Sequence, residues 1–125
     1  MSKTILVVDD STTVTLSLSA NLRMHGFTVE TAGDGAAALK RLQGGLKPDL
    51  IISDVHMPNM NGIEMVRAIK AMPALKFKPI LMLTTESDPK KRDETKKLGV
   101  TGWLVKPVSG ADLLKVVQQV LPVHA

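Results

Sequence analysis

The sequence predicts an α/β domain, a doubly wound five-stranded parallel sheet with helices on both faces. Three observations predict it. Five short apolar runs alternate with five segments of helical character, the connections between them are a few residues long, and polar groups follow most of the apolar runs at once. Such an alternation implies βαβ crossovers, which make the strands parallel and place all their carboxyl ends along one edge.

Each element has its own signature. Residues 5–8 are an apolar, β-branched-rich run that stops at Asp9, Asp10 and Ser11, a buried strand followed by helix-capping residues. Val14, Leu18 and Leu22 recur every four residues, and Gly26 stands where a helix carboxyl cap is expected. Residues 28–31 are more polar and suit a strand at the sheet edge, after which Asp34 and Gly35 turn into a small helix at 36–42, closed by Gly44 and Gly45. The third strand covers 48–54. Within it Leu50, Ile51 and Ile52 are apolar without alternation, as in a parallel strand covered on both faces, and Pro58, Asn59, Asn61 and Gly62 then turn the chain. A third helix over 62–72 presents Ile63, Val66, Ile69 and Met72 on one face and is stopped by Pro73. Residues 80–83 form the fourth strand, ending at Thr84 and Thr85. Ser87, Asp88 and Pro89 are cap and first-turn residues for a fourth helix, nearly all polar, that Gly99 closes. Residues 101–105 make the fifth strand and Lys106–Pro107 a turn. The last helix carries its apolar stripe on Leu113, Val116, Val117, Val120 and Leu121.

A chain of 125 residues is read as one domain, with no room for a DNA-binding domain. Hydrophobic residues at 44% and charged residues at 22% are ordinary for a globular protein and exclude disordered and collagen-like classes. There is no Cys, hence no disulfide framework and no thiolate metal site. No apolar run approaches the ~20 residues of a membrane span and no signal-peptide core is present, so the expected location is cytoplasmic, without membrane contact. The net charge of +4 permits attraction to nucleic acid or to acidic protein surfaces. Aromatic residues are only 2%, too few for a base-stacking platform or a flavin site.

Four of the five strands deliver polar groups to the common edge: Asp9 and Asp10, Asp54, Thr84, and Lys106. Asp10 alone reads as a helix N-cap and Asp54 alone as a turn residue, but the constellation asks for more. Two carboxylates about 4 Å apart repel by roughly 4 kcal/mol at an effective dielectric near 20, so three at one edge favour a cation among them. Hard oxygen ligands without Cys point to Mg²⁺, and for His56 the backbone carbonyl is a better ligand than the imidazole. A carboxylate beside Mg²⁺, an ammonium and a hydroxyl suits phosphoryl transfer, with an acyl phosphate on Asp54 as product.

The Asp9–Asp10 pair, Asp54, the run Met57-Pro58-Asn59-Met60-Asn61-Gly62, Thr84 and Lys106–Pro107 together resemble the receiver domain of bacterial response regulators, in order and spacing and over essentially the whole chain. Among receivers the resemblance is to the stand-alone chemotaxis regulators. It implies a flavodoxin-like (βα)5 fold of strand order 2-1-3-4-5. It implies that Asp54 accepts a phosphoryl group from a sensor histidine kinase, with Mg²⁺ organised by Asp9, Asp10, Asp54 and the His56 carbonyl. Thr84 and Lys106 would bind phosphoryl oxygens, Thr84 and Trp103 would form the switch, and the bond before Pro107 would be cis. Output would pass through helix four, strand five and helix five to a phosphorylation-dependent target such as a flagellar motor switch or another effector, from a monomer. There Lys90, Lys91, Arg92, Lys96 and Lys97 offer a basic docking face for an acidic segment or, alternatively, a solvated surface. Two positions depart from the common receiver pattern: Trp103 replaces the usual Tyr or Phe, and Thr85 is larger than the Ala or Gly often found there.

Such a domain catalyses its own phosphorylation and dephosphorylation but is mainly a switch. A Mg²⁺-dependent aspartyl-phosphate phosphatase would use similar groups, yet it needs a second carboxylate two residues after the nucleophile, and that position holds His56. A flavodoxin-like electron carrier would find carboxylates where a flavin phosphate should sit. A phosphorelay shuttle or phosphate sink outside chemotaxis stays open as an alternative.

Overall fold

In a computed structural model, which describes residues 3–84 and 89–121, every apolar run becomes a strand of one parallel sheet. The elements are β1 (Thr4–Val8), α1 (Thr12–Met24), β2 (Thr28–Ala32), α2 (Gly35–Gln43), β3 (Leu50–Asp54), α3 (Gly62–Lys70), β4 (Ile80–Thr84), α4 (Pro89–Lys97), β5 (Gly102–Val105) and α5 (Gly110–Val120). The strand order is β2-β1-β3-β4-β5, as expected. Central strands β1, β3 and β4 are apolar on both faces because both are covered. Ile5, Val7, Leu50, Ile52, Leu81 and Leu83 pack with Leu18 and Leu22 of α1 and with Leu113 and Val117 of α5. Leu6, Val8, Ile51, Ile80 and Met82 face the other way, against Ala38, Leu39 and Leu42 of α2 and Ile63, Val66 and Ile69 of α3. Edge strand β2 exposes Thr28 and Thr31 and buries Val29 and Ala32, the half-polar pattern that marked it in the sequence.

Local chemistry moves several boundaries from their expected places. β3 begins at Leu50, not residue 48: Pro48 has no N–H for a ladder, and Asp49 is occupied in fastening β1, its Oδ2 accepting the Thr4 N–H at 2.8 Å. α3 stops at Lys70, short of Met72, because a residue before proline is disfavoured in the helical region. The Met72 carbonyl instead accepts the N–H groups of Leu75 and Lys76, at 3.0 and 2.9 Å, in a turn. The cap of α1 is Ser11, whose hydroxyl accepts the Val14 N–H at 3.3 Å, so Asp10 is left free of that duty. The sequence-read caps Ser87 and Asp88, and also Thr85, lie outside the described residues, as do the side chains of Pro89 and Lys91.

Parallel strands with α-helical crossovers also sort charge. The last turns of α1 to α4 carry Arg23, then Lys40 and Arg41, then Arg67 and Lys70, then Lys96 and Lys97, cations set against the negative ends of the helix dipoles. The carboxylates of the strand ends collect at the opposite edge. Among the described residues, no helix is long and apolar enough to cross a membrane.

Ile52 is completely buried in the central strand, whereas Leu16 on α1 is 64% exposed. Ile52→Ala is expected to cost about 2–5 kcal/mol of unfolding free energy in urea titrations, and Leu16→Ala no more than about 0.5 kcal/mol.

Candidate functional site

The site lies where β1, β3, β4 and β5 end together. β1 gives out at Asp9, whose N–H still donates to the Ala32 carbonyl at 3.2 Å and whose side chain is therefore held at the strand edge, 2% exposed. Its Oδ1 accepts the Ser11 N–H at 2.9 Å. Asp10 follows, exposed to solvent. Asp54 ends β3 and is 6% exposed; its Oδ1 accepts the His56 N–H at 3.3 Å. The three carboxylates each bring an oxygen within 4.8 Å of the others.

Lys106, from the turn after β5, reaches into this cluster. Its ammonium lies 2.7 Å from Asp9 Oδ2 and 3.1 Å from Asp54 Oδ2. The turn that carries it is fixed at both sides: its N–H donates to the Thr84 carbonyl at 2.6 Å, and the Lys106–Pro107 peptide bond is cis. Thr84 itself ends β4, 5% exposed and in register with Val105 of β5. Beside this turn a cavity of about 400 Å³ opens between α1 and the sheet, lined by Val14, Leu18, Leu83, Pro107 and Val108 among others.

The electrostatics follow from burial and crowding. Burial pushes the Asp54 carboxyl above the usual carboxylate range, Lys106 pulls it down by hydrogen bonding, and the Asp9 charge pushes it up again; the net direction is up. Burial would lower the Lys106 ammonium, but its bonds to Asp9 and Asp54 outweigh that and hold it above its ordinary value. The sign of each effect on stability differs. The Lys106 pairing stabilises the fold at neutral pH and is lost only as pH rises through its raised pKa, whereas ionised Asp54 is a net cost that is relieved as pH falls through its own. At this spacing each carboxylate pair repels by about 3–4 kcal/mol at an effective dielectric near 20, and one ammonium cannot neutralise three anions. An all-oxygen donor set with surplus negative charge fits Mg²⁺.

The structure thus brings Asp9, Asp10, Asp54 and Lys106 together, with Thr84 on the adjoining strand end. His56 is exposed and enters through its main chain. Trp103 stands apart, half-buried on β5 and tied to α4: its Nε1 donates to Thr95 Oγ1 at 2.8 Å, and the Arg92 guanidinium lies 5.7 Å over its ring. Of the basic helix residues, Lys90, Lys96 and Lys97 are exposed, but Arg92 is partly covered by this stacking. Thr95 escaped sequence reading because a fully buried Thr on a polar helix leaves no apolar period. Gly62 turns the chain and opens α3, as the sequence predicts, and carries a further constraint of proximity: a Cβ there would collide with the Asp54 carbonyl and come within 2.9 Å of Met82 Cε, so the amino end of α3 can lie directly behind β3 only without a side chain.

Comparison with known proteins agrees with this fold. The family model described as the response regulator receiver domain matches residues 5–118. The chemotaxis protein CheY of Pseudomonas aeruginosa is 37% identical over 117 residues, spanning 93% of this chain and 94% of that protein. The solved chemotaxis response regulator CheY4 of Vibrio cholerae is 48% identical with a TM-score of 0.91, covering 97% of this chain and 100% of that one. The receiver domain of the sensor histidine kinase PA1611 of Pseudomonas aeruginosa, solved with a magnesium ion coordinated in its active-site cleft, is 28% identical with a TM-score of 0.86, covering 96% and 98%.

Removing the Asp54 charge while keeping its shape should remove its burial cost. In metal-free buffer Asp54→Asn is expected to melt at a higher temperature than the parent; a lower one would mean that the Lys106 pairing outweighs burial. Gly62→Ala is expected to lose about 1–3 kcal/mol in urea unfolding, since backbone must shift to admit the methyl group.

Proposed function

The chain belongs to the response regulator receiver family, phosphorylation-switched regulators of two-component systems, and from that premise we propose that Asp54 takes a phosphoryl group from the phosphohistidine of a sensor histidine kinase, in a chemotaxis pathway. The observation that carries this is the single ammonium, Lys106, shared between Asp9 and Asp54 beside a third carboxylate. Asp9, Asp10, Asp54 and the His56 carbonyl would hold Mg²⁺. When bound, the ion supplies positive charge for the carboxylates and for the oxygens of the transferring group.

The chain's own residues do the rest. An Asp54 carboxylate oxygen attacks phosphorus in line; the bond from phosphorus to the donor imidazole nitrogen breaks, and the imidazole leaves with a proton from water. Lys106, already within hydrogen-bonding distance of Asp54, turns its ammonium to a phosphoryl oxygen, and the hydroxyl of Thr84 engages another. Drawing Thr84 toward the phosphoryl group changes the strand-end packing beside β5. That change is passed to Trp103, whose indole is bonded to α4, and so to this basic helix, on which Lys90, Lys96 and Lys97 are exposed. A basic face of this kind suits an acidic segment of an effector. The match to chemotaxis proteins along nearly their whole length supports that pathway.

Incubation with acetyl phosphate and Mg²⁺ is expected to label the parent protein with one phosphoryl group, and Asp54→Asn not at all, as read by intact mass. Mg²⁺-dependent labelling of the variant would overturn the assignment of the acceptor.

A further inference from the structure

Residues 55–61, between β3 and α3, begin at the acceptor and carry the His56 main chain. The ends of this loop are held from within the site. Val55 N–H donates to the Leu83 carbonyl at 3.1 Å, and Gly62 N–H to the Val55 carbonyl at 2.9 Å. Its middle is held from elsewhere. Asn59 Nδ2 donates to Asp34 Oδ2 at 2.8 Å, across 25 residues of sequence, and Gly35 N–H donates to the Met60 carbonyl at 3.2 Å. A Cβ on Gly35 would come within 2.7 Å of that carbonyl, so the two turns touch backbone to backbone.

Asp34 has two duties. Oδ1 caps α2 by accepting the Ala37 N–H at 2.7 Å, which leaves Oδ2 for Asn59. These two bonds hold its carboxyl below the usual range, so the acceptor stays ionised. Asn59 is the one non-glycine residue with positive φ, 66°, among the described residues, a conformation that Asn tolerates better than most side chains. The loop is therefore kept in an unusual conformation by an amide whose partner belongs to another helix.

We propose that Asp34 and Asn59 are positioning residues for cation binding and phosphoryl transfer, their hydrogen bond clamping the loop onto the amino terminus of α2 and fixing the His56 main chain relative to Asp54. Neither residue touches the reacting atoms. The inference rests on Asp54 being the acceptor and His56 a main-chain ligand.

The test is a swap. Asn59→Asp sets two carboxylates against each other and breaks the bond, whereas Asp34→Asn keeps an acceptor to cap α2 and, with the Asn59 amide turned over, a hydrogen bond between two amides. Asn59→Asp is expected to bind Mg²⁺ about fivefold more weakly by calorimetry and to be labelled by acetyl phosphate correspondingly slowly, the effect of one hydrogen bond, and Asp34→Asn to stay within about twofold of the parent. The double variant restores a donor–acceptor pair in reverse and is expected to recover both to within about twofold. Parent-like affinity in Asn59→Asp, or no recovery in the double, would overturn the proposal. So would a fall in melting temperature with unchanged Mg²⁺ affinity, which would make the clamp a matter of stability alone. Absence of labelling in the parent would overturn the acceptor assignment instead, and the Mg²⁺ affinities would still decide the clamp.

Discussion

One ammonium between two buried carboxylates sets the terms for this molecule. Asp9 and Asp54 are brought to the same edge by the pairing of β1 with β3, and neither can move away without unpairing a central strand. Lys106 is the counter-charge the fold itself provides, delivered from the far side of the sheet by a turn with a cis peptide bond and a backbone bond to Thr84. Asp10 leaves the balance negative. The edge therefore keeps an excess of negative charge that one ammonium does not cancel.

Much of this was legible in the sequence for a simple reason. A parallel strand buried on both faces has to be an unbroken apolar run, so residues 50–52 and 80–83 announce themselves, and the residue that ends such a run is at the functional edge by construction. Asp54, Thr84 and Lys106 were found that way. Boundaries were less legible where proline acts on its neighbours, as at Pro48 and Pro73. Side-chain contacts away from the common strand edge were not legible. Nothing local links Asp34 to Asn59, or Trp103 to Thr95, because each pair meets only after the βα units have packed.

Packing also explains why β3 tolerates so little behind it. Gly62 puts backbone against the Asp54 carbonyl, Asn61 caps α3 by accepting the Glu64 N–H at 2.9 Å, and Glu64 answers at the Asn61 N–H. Asp54 thus ends its strand against a helix terminus closed by a reciprocal pair of hydrogen bonds.

The sorting of charge by the parallel sheet has a consequence at distances where no contact exists. With carboxylates gathered at the strand ends and cations on the final turns of four helices, the domain has a permanent electric moment running roughly along its strands. In the field of a charged partner it experiences a torque before it experiences a touch. At low ionic strength, where the screening length reaches roughly 30 Å, successive encounters are therefore not random in orientation, and the share that arrive correctly turned falls as salt is added.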